Sequence, residues 1–97
     1  VNTSTASITD LDLANSIIFP NPFNNEINIF LNLNKTSNVQ VSMFDIKGVK
    51  IIDIFKGDLD SGMQSINSKL DRLSSGLYML KISTSDGITN TYKLIKR

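Results

Sequence analysis

The chain has no cysteine and no histidine. Without cysteine no disulfide can brace the fold, and redox chemistry offers no clue to compartment. Together the two absences remove Cys/His and Ser/His/Asp nucleophile systems and the usual zinc sites. Tryptophan is also missing, leaving five Phe and two Tyr as the aromatic complement. No apolar run approaches the roughly 20 residues that span a bilayer. Charge of one sign is lacking too: ten basic residues against nine acidic ones leave +1. That balance gives no footprint for nucleic acid and no polybasic membrane patch. The start, Val1-Asn2-Thr3-Ser4-Thr5, carries neither the cationic stretch nor the apolar block of a signal peptide. With no initiator Met, the expectation is a piece of a longer protein. Its 97 residues suit one domain. A domain this small buries only about two-thirds of its unfolded surface, which leaves nothing for a deep catalytic cavity.

What is present is alternation. Glu26 to Leu33 sets Ile27, Ile29, Leu31 and Leu33 on one face and Glu26, Asn28 and Asn32 on the other, with Phe30 on the polar side. Val39, Val41 and Met43 continue an inward face, and Tyr78, Leu80 and Ile82 form another. Ile17-Ile18-Phe19 predicts a short strand that stops at Pro20-Asn21-Pro22, where two missing N–H groups forbid a ladder interior. Asp45-Ile46-Lys47-Gly48 and Ser85-Asp86-Gly87 predict hairpin turns. Val49 to Lys56 alternates poorly, which predicts a strand buried on both sides or bulged. Gly57 to Gly62 is expected as a turn cluster, and Leu70 to Gly76 as one helical turn ended by glycine. Ile88 to Arg97 closes the chain with Tyr92 and Leu94 inward. The sum is an all-β domain: a seven-stranded antiparallel β-sandwich, immunoglobulin-like, over residues 17–97. Residues 1–16 are polar with sparse apolar positions, and the expectation there is a flexible linker to a preceding domain.

Three stretches, in this order, carry a resemblance. The first is Phe19-Pro20-Asn21-Pro22-Phe23-Asn24 ahead of the alternating strand. The second is Val41-Ser42-Met43-Phe44-Asp45-Ile46-Lys47-Gly48. The third is Leu73-Ser74-Ser75-Gly76-Leu77-Tyr78-Met79-Leu80-Lys81-Ile82, leading to Lys93-Leu94-Ile95-Lys96-Arg97. Together they resemble the type A C-terminal sorting domain of the type IX secretion system of Bacteroidetes-type bacteria. The resemblance implies a non-catalytic signal with no cofactor. It implies cargo that folds in the periplasm, an outer-membrane translocon with its shuttle and sortase proteins as partners, and cleavage in the linker. The cargo then reaches the cell surface or the medium. A monomer is expected. The recognition motif implied comprises Phe19, Pro20, Asn21, Pro22, Asp45, Gly48, Gly76, Tyr78, Lys93, Lys96 and Arg97. On the residues alone, Pro20 and Pro22 should hold the chain extended so that Phe19 pins the linker to the sandwich.

Other features weigh less. Asp58-Leu59-Asp60-Ser61-Gly62 hints at a calcium loop, yet Glu26 is the single glutamate, and a polar turn is the better reading. Phe30 and Phe44 fall on polar faces of two strands expected to be adjacent, and with Ile46 and Ile52 they suggest either ordinary sheet-end packing or a docking patch. Lys93, Lys96 and Arg97 are either solvated edge residues or a charged recognition tip. A carbohydrate-binding module is the rival function, weakened because such modules display a row of exposed aromatics.

Overall fold

A computed structural model describes residues 16–97. The expected linker over residues 1–16 therefore lies, Ser16 apart, outside the described residues. Seven strands form: β1 (Ile17–Phe19), β2 (Glu26–Leu33), β3 (Ser37–Asp45), β4 (Lys50–Leu59), β5 (Gly62–Lys69), β6 (Gly76–Thr84) and β7 (Thr89–Lys96). They make two sheets, ordered β1-β2-β5 and β4-β3-β6-β7, with every strand pairing antiparallel. The sheets pack as a sandwich. In the constant-type immunoglobulin arrangement the fourth strand lies beside the fifth; here β4 pairs with β3 instead.

Period-two alternation explains the core. Ile27, Ile29 and Leu31 of β2, Val39, Val41 and Met43 of β3, and Leu80 and Ile82 of β6 have no exposed surface. Phe23, Leu33, Ile66, Leu70, Tyr78 and Leu94 complete the cluster. Burying each such aliphatic side chain contributes about 1.5–3 kcal/mol. That non-directional gain fixes register, because a slip of one residue would turn every apolar side chain to water.

Two expectations need correction. The turn cluster expected from Gly57 to Gly62 shrinks to Asp60 and Ser61, because β4 continues to Leu59. Ladder pairing with β3 (Val39 with Gly57, Asn38 with Asp58, Ser37 with Leu59) overrides turn-forming composition. Asp58 is thus a strand residue whose carboxylate accepts from Asn38 Nδ2 at 3.1 Å. The helical turn expected at Leu70 to Gly76 is a single hydrogen-bonded turn, Leu73 N to Leu70 O at 3.3 Å. Leu70 is buried and its N–H donates to Asn25 O at 2.6 Å, so it is held as a core residue rather than a helix start. Gly76 opens β6 rather than ending a helix.

The poor alternation of Val49 to Lys56 resolves as two bulges. Register shifts leave Ile54 and Ile51 without a partner in β3. Burial on both sides does not occur, since Ile51 and Ile52 are exposed.

Strand directions give the sandwich two distinct ends. Residues 34–36, 60–61 and 85–87 turn at one end; residues 46–49, the 70–75 loop and Arg97 occupy the other. β1 runs antiparallel to β2, so the chain enters from the first end. The final strand therefore finishes at the end opposite the one from which β1 arrives.

At the second end the β3–β4 turn is built by Asp45. Its Oδ1 accepts from Lys47 N at 2.8 Å and Val49 N at 3.0 Å, and Gly48 N donates to Asp45 O at 3.0 Å. Gly48 sits at φ +86° and Gly76 at φ +151°, with open space around both. Backbone strain alone should therefore penalise side chains there. Gly48→Val and Gly76→Val should each cost about 1–3 kcal/mol, read as a lowered melting temperature of the purified chain; an unchanged melting temperature would contradict the assignment.

Candidate recognition surface

β7 is an edge strand, and alternate residues aim their backbone groups away from β6. Exposed rows of such groups invite foreign strands. Here the loop after β1 caps them. Asn21 Nδ2 donates to Lys93 O at 3.0 Å, and Ile95 N donates to Asn21 Oδ1 at 3.0 Å. Phe23 N donates to Ile95 O at 2.8 Å, and Arg97 N donates to Phe23 O at 2.9 Å. A carboxamide carries the same donor and acceptor as a peptide group, so Asn21 serves as one residue of a short parallel strand that Phe23 continues. Phe23 bridges Lys96 in parallel while its ring is wholly buried in the core.

The extension expected of Pro20 and Pro22 is not found. Residues 21–22 form a bend, and the peptide bonds before both prolines are cis. Within that bend the Asn21 side chain and the Phe23 backbone meet β7. Phe19 packs on the sandwich from outside its core. Ile18 pairs with Ile29 on the inner face, so strand parity places Phe19 outside, where it packs edge-to-face on Phe30 with ring centroids 5.3 Å apart. The ring in the core belongs to Phe23, which stands alone between Pro22 and Asn24, outside any alternating run, so periodicity could not find it. Its place one step past the second proline was the only signal.

The remaining motif residues separate into supports and displayed groups. Tyr78 is buried, and its hydroxyl donates to Ser74 O at 2.7 Å, tying the 70–75 loop to β6. Asp45 and Gly48 build the neighbouring turn. Lys96 is buried, its stem in the sandwich end and Nζ donating to Arg97 O at 3.2 Å. Lys93 and Arg97 remain exposed.

Phe30 and Phe44 are not on adjacent strands. Phe30 belongs to β2 in the three-stranded sheet and Phe44 to β3 in the four-stranded one, on opposite outer faces. Ile46 lies in the turn after β3, on the Phe44 side, while Ile52 pairs with Met43 on the inner side of β4. Lys81 Nζ sits 5.9 Å from the centre of the Phe44 ring, at the limit of a cation–π contact. Beside them Ser42 Oγ donates to Asp53 Oδ1 at 2.8 Å, and Lys50 Nζ lies 3.1 Å from the same oxygen. The Ser42 hydrogen bond first, then Lys50, holds the Asp53 carboxyl below its ordinary range.

Two outcomes follow. Asn21→Ala removes a donor and an acceptor from β7 and should cost about 1–2 kcal/mol, with faster amide exchange at Ile95 than at Leu94; equal protection at Ile95 before and after the change would refute the cap. For Asp53, the folded carboxyl titrates below the unfolded one, so its contribution is complete above the unfolded carboxylate range and fades as pH falls through the folded pKa. Asp53→Asn should flatten the acid limb of a melting-temperature profile below about pH 4, and an acid limb of unchanged slope would remove Asp53 as its source.

No curated protein matches the chain. The family model described as the secretion system C-terminal sorting domain matches residues 17–97, which takes in all seven strands and the cap on β7. The chain therefore belongs to the family of type IX secretion system C-terminal sorting domains, non-catalytic signals that send attached cargo proteins into secretion.

Proposed function

We propose that residues 17–97 are read by the outer-membrane translocon as a folded surface, and that residues 1–16 are the linker in which a surface sortase cuts once the cargo has crossed. Cargo and domain share the periplasm in transit; the cargo ends at the cell surface or in the medium, joined to a surface glycolipid or released. Shuttle and sortase proteins of the outer membrane are the partners. The domain contributes shape and charge and breaks no bond.

The observation that carries this reading is the cap on β7. Four hydrogen bonds join Asn21 and Phe23 to Lys93, Ile95 and Arg97, residues more than 70 positions downstream. The last strand is thereby displayed only when the start of the domain has folded, so an exporter that tests the last strand tests the whole fold. The approach of β1 from the opposite end of the sandwich supports it further, since cargo attached there leaves the 46–49 and Arg97 end free. Among the described residues Phe19 and Phe30 make a ring pair on one outer face, but Phe23 and Tyr78 are buried and Phe44 lies on the opposite face, so the pair is not extended into a row through them. The carbohydrate-binding alternative gains no support from that arrangement.

A fusion tests the proposal. Residues 1–97 joined to the end of a periplasmic reporter, in a host that carries the type IX system, should deliver the reporter to the surface or medium. Removing residues 89–97 should hold it in the periplasm. Retention of the intact, folded fusion in the periplasm would refute the reading.

A further inference from the structure

We propose that the outer face of the four-stranded sheet, at the end holding residues 46–49, docks an acidic protein surface of the export machinery; this rests on the reading above and names the partner's chemistry. Register places the apolar side chains together. Phe44 pairs with Met79, Met79 lies two residues from Leu77 on the same face of β6, and Leu77 pairs with Ile95. Ile46 in the adjoining turn is 68% exposed, Ile95 45% and Leu77 39%. Phe44, Ile46 and Met79 line a shallow depression with Thr91 and Lys81, a shape that takes a protruding side chain.

Charge selects the occupant. Lys81 lines this hollow, Lys93 pairs with Met79 on the same face, Lys47 follows Ile46 in the turn and Arg97 follows β7, and none of the four forms an ion pair among the described residues. Of the two nearby acids, Asp53 is paired with Lys50, while Asp45 lines the hollow and keeps its charge, its carboxylate held in the turn by the Lys47 and Val49 N–H groups. An apolar centre whose rim holds four cations against the single carboxylate of Asp45 matches a partner with an apolar protrusion among carboxylates, and the excess positive charge would steer its approach. The other outer face differs. Ile17, Phe19, Phe30 and Met63 are apolar there, but their neighbours are Asn28, Asn32, Ser65 and Asn67, with Glu26 and Lys69 paired to each other at 3.7 Å. Neutral and amide-rich, it offers no complementary charge. The four cations of the proposed face are separated along the sequence rather than run together, unlike the contiguous polybasic segments that bind anionic lipid.

The reporter fusion decides it. Ile46→Glu with Ile95→Glu, and separately Lys81→Glu with Lys93→Glu, should each reduce delivery by about tenfold or more, an affinity loss of about 1.4 kcal/mol. Asn32→Glu with Met63→Glu on the opposite face should leave delivery unchanged. All six positions are exposed, and melting of each purified chain checks that the fold is kept; loss of delivery then reflects the surface. A parent fusion that is not delivered would sink the export reading itself. A delivered parent with both face variants also delivered would overturn the docking face alone. A photo-crosslinker at position 46 should capture a translocon or shuttle protein at a segment whose Asp or Glu residues, changed to Lys, restore delivery of the Lys81→Glu, Lys93→Glu fusion; absence of restoration would overturn the acidic partner. Purified chain mixed with phosphatidylglycerol–phosphatidylethanolamine vesicles should stay unbound, and binding lost in the Lys81→Glu, Lys93→Glu variant would assign the face to lipid instead.

Discussion

Strand β7 would be an open edge without the loop that precedes β2. Its outward N–H and C=O groups need partners or water, and a sheet that left them bare would offer a template for other chains. Asn21 and Phe23 supply those partners at Lys93, Ile95 and Arg97. Phe23 does two tasks: its backbone extends the sheet and its ring fills the core between the sheets. Much of the rest follows from this junction. It closes the end of the sandwich around Leu94 and the stem of Lys96, and it makes the last strand depend on the first.

That dependence suits a signal better than a catalyst. A signal read as a folded surface, as proposed above, gains from parts that cannot form separately. β1 is three residues long and would not persist alone. Its pairing with β2, the loop after it and the cap on β7 hold one another. Tyr78 adds a second tie by bonding Ser74 O, so the loop between β5 and β6 is anchored to the same end.

The two outer faces part company chemically although the whole chain carries a net charge of only +1. On the three-stranded sheet, amide side chains dominate, and Asn67 Nδ2 donates to Asn28 Oδ1 at 2.8 Å. On the four-stranded sheet, Lys81 lines an apolar hollow and Lys93 stands beside Met79 on the same face. Net charge counts both and registers neither, which is why composition alone shows no electrostatic partner.

The sequence by itself determined the strands whose apolar residues alternate, because one buried face imposes a period of two that is visible without a structure. Glu26–Leu33 and the inward set of β6 were legible for that reason, the Asp45–Gly48 and Ser85–Gly87 turns from their Asp and Gly residues, and the order of three short motifs pointed to the family. Tertiary structure alone decided what depends on partners far along the chain. The length of β4 came from pairing with β3, which drew Gly57 and Asp58 out of a turn. The outward place of Phe19 came from the parity of β1 against β2, and the buried place of Phe23 from the bend at residues 21–22. The separation of Phe30 from Phe44 came from the allotment of β2 and β3 to different sheets. A local pattern records which way a side chain points relative to its neighbours; which sheet it joins, and what it meets there, is set by burial and hydrogen bonding across the whole domain.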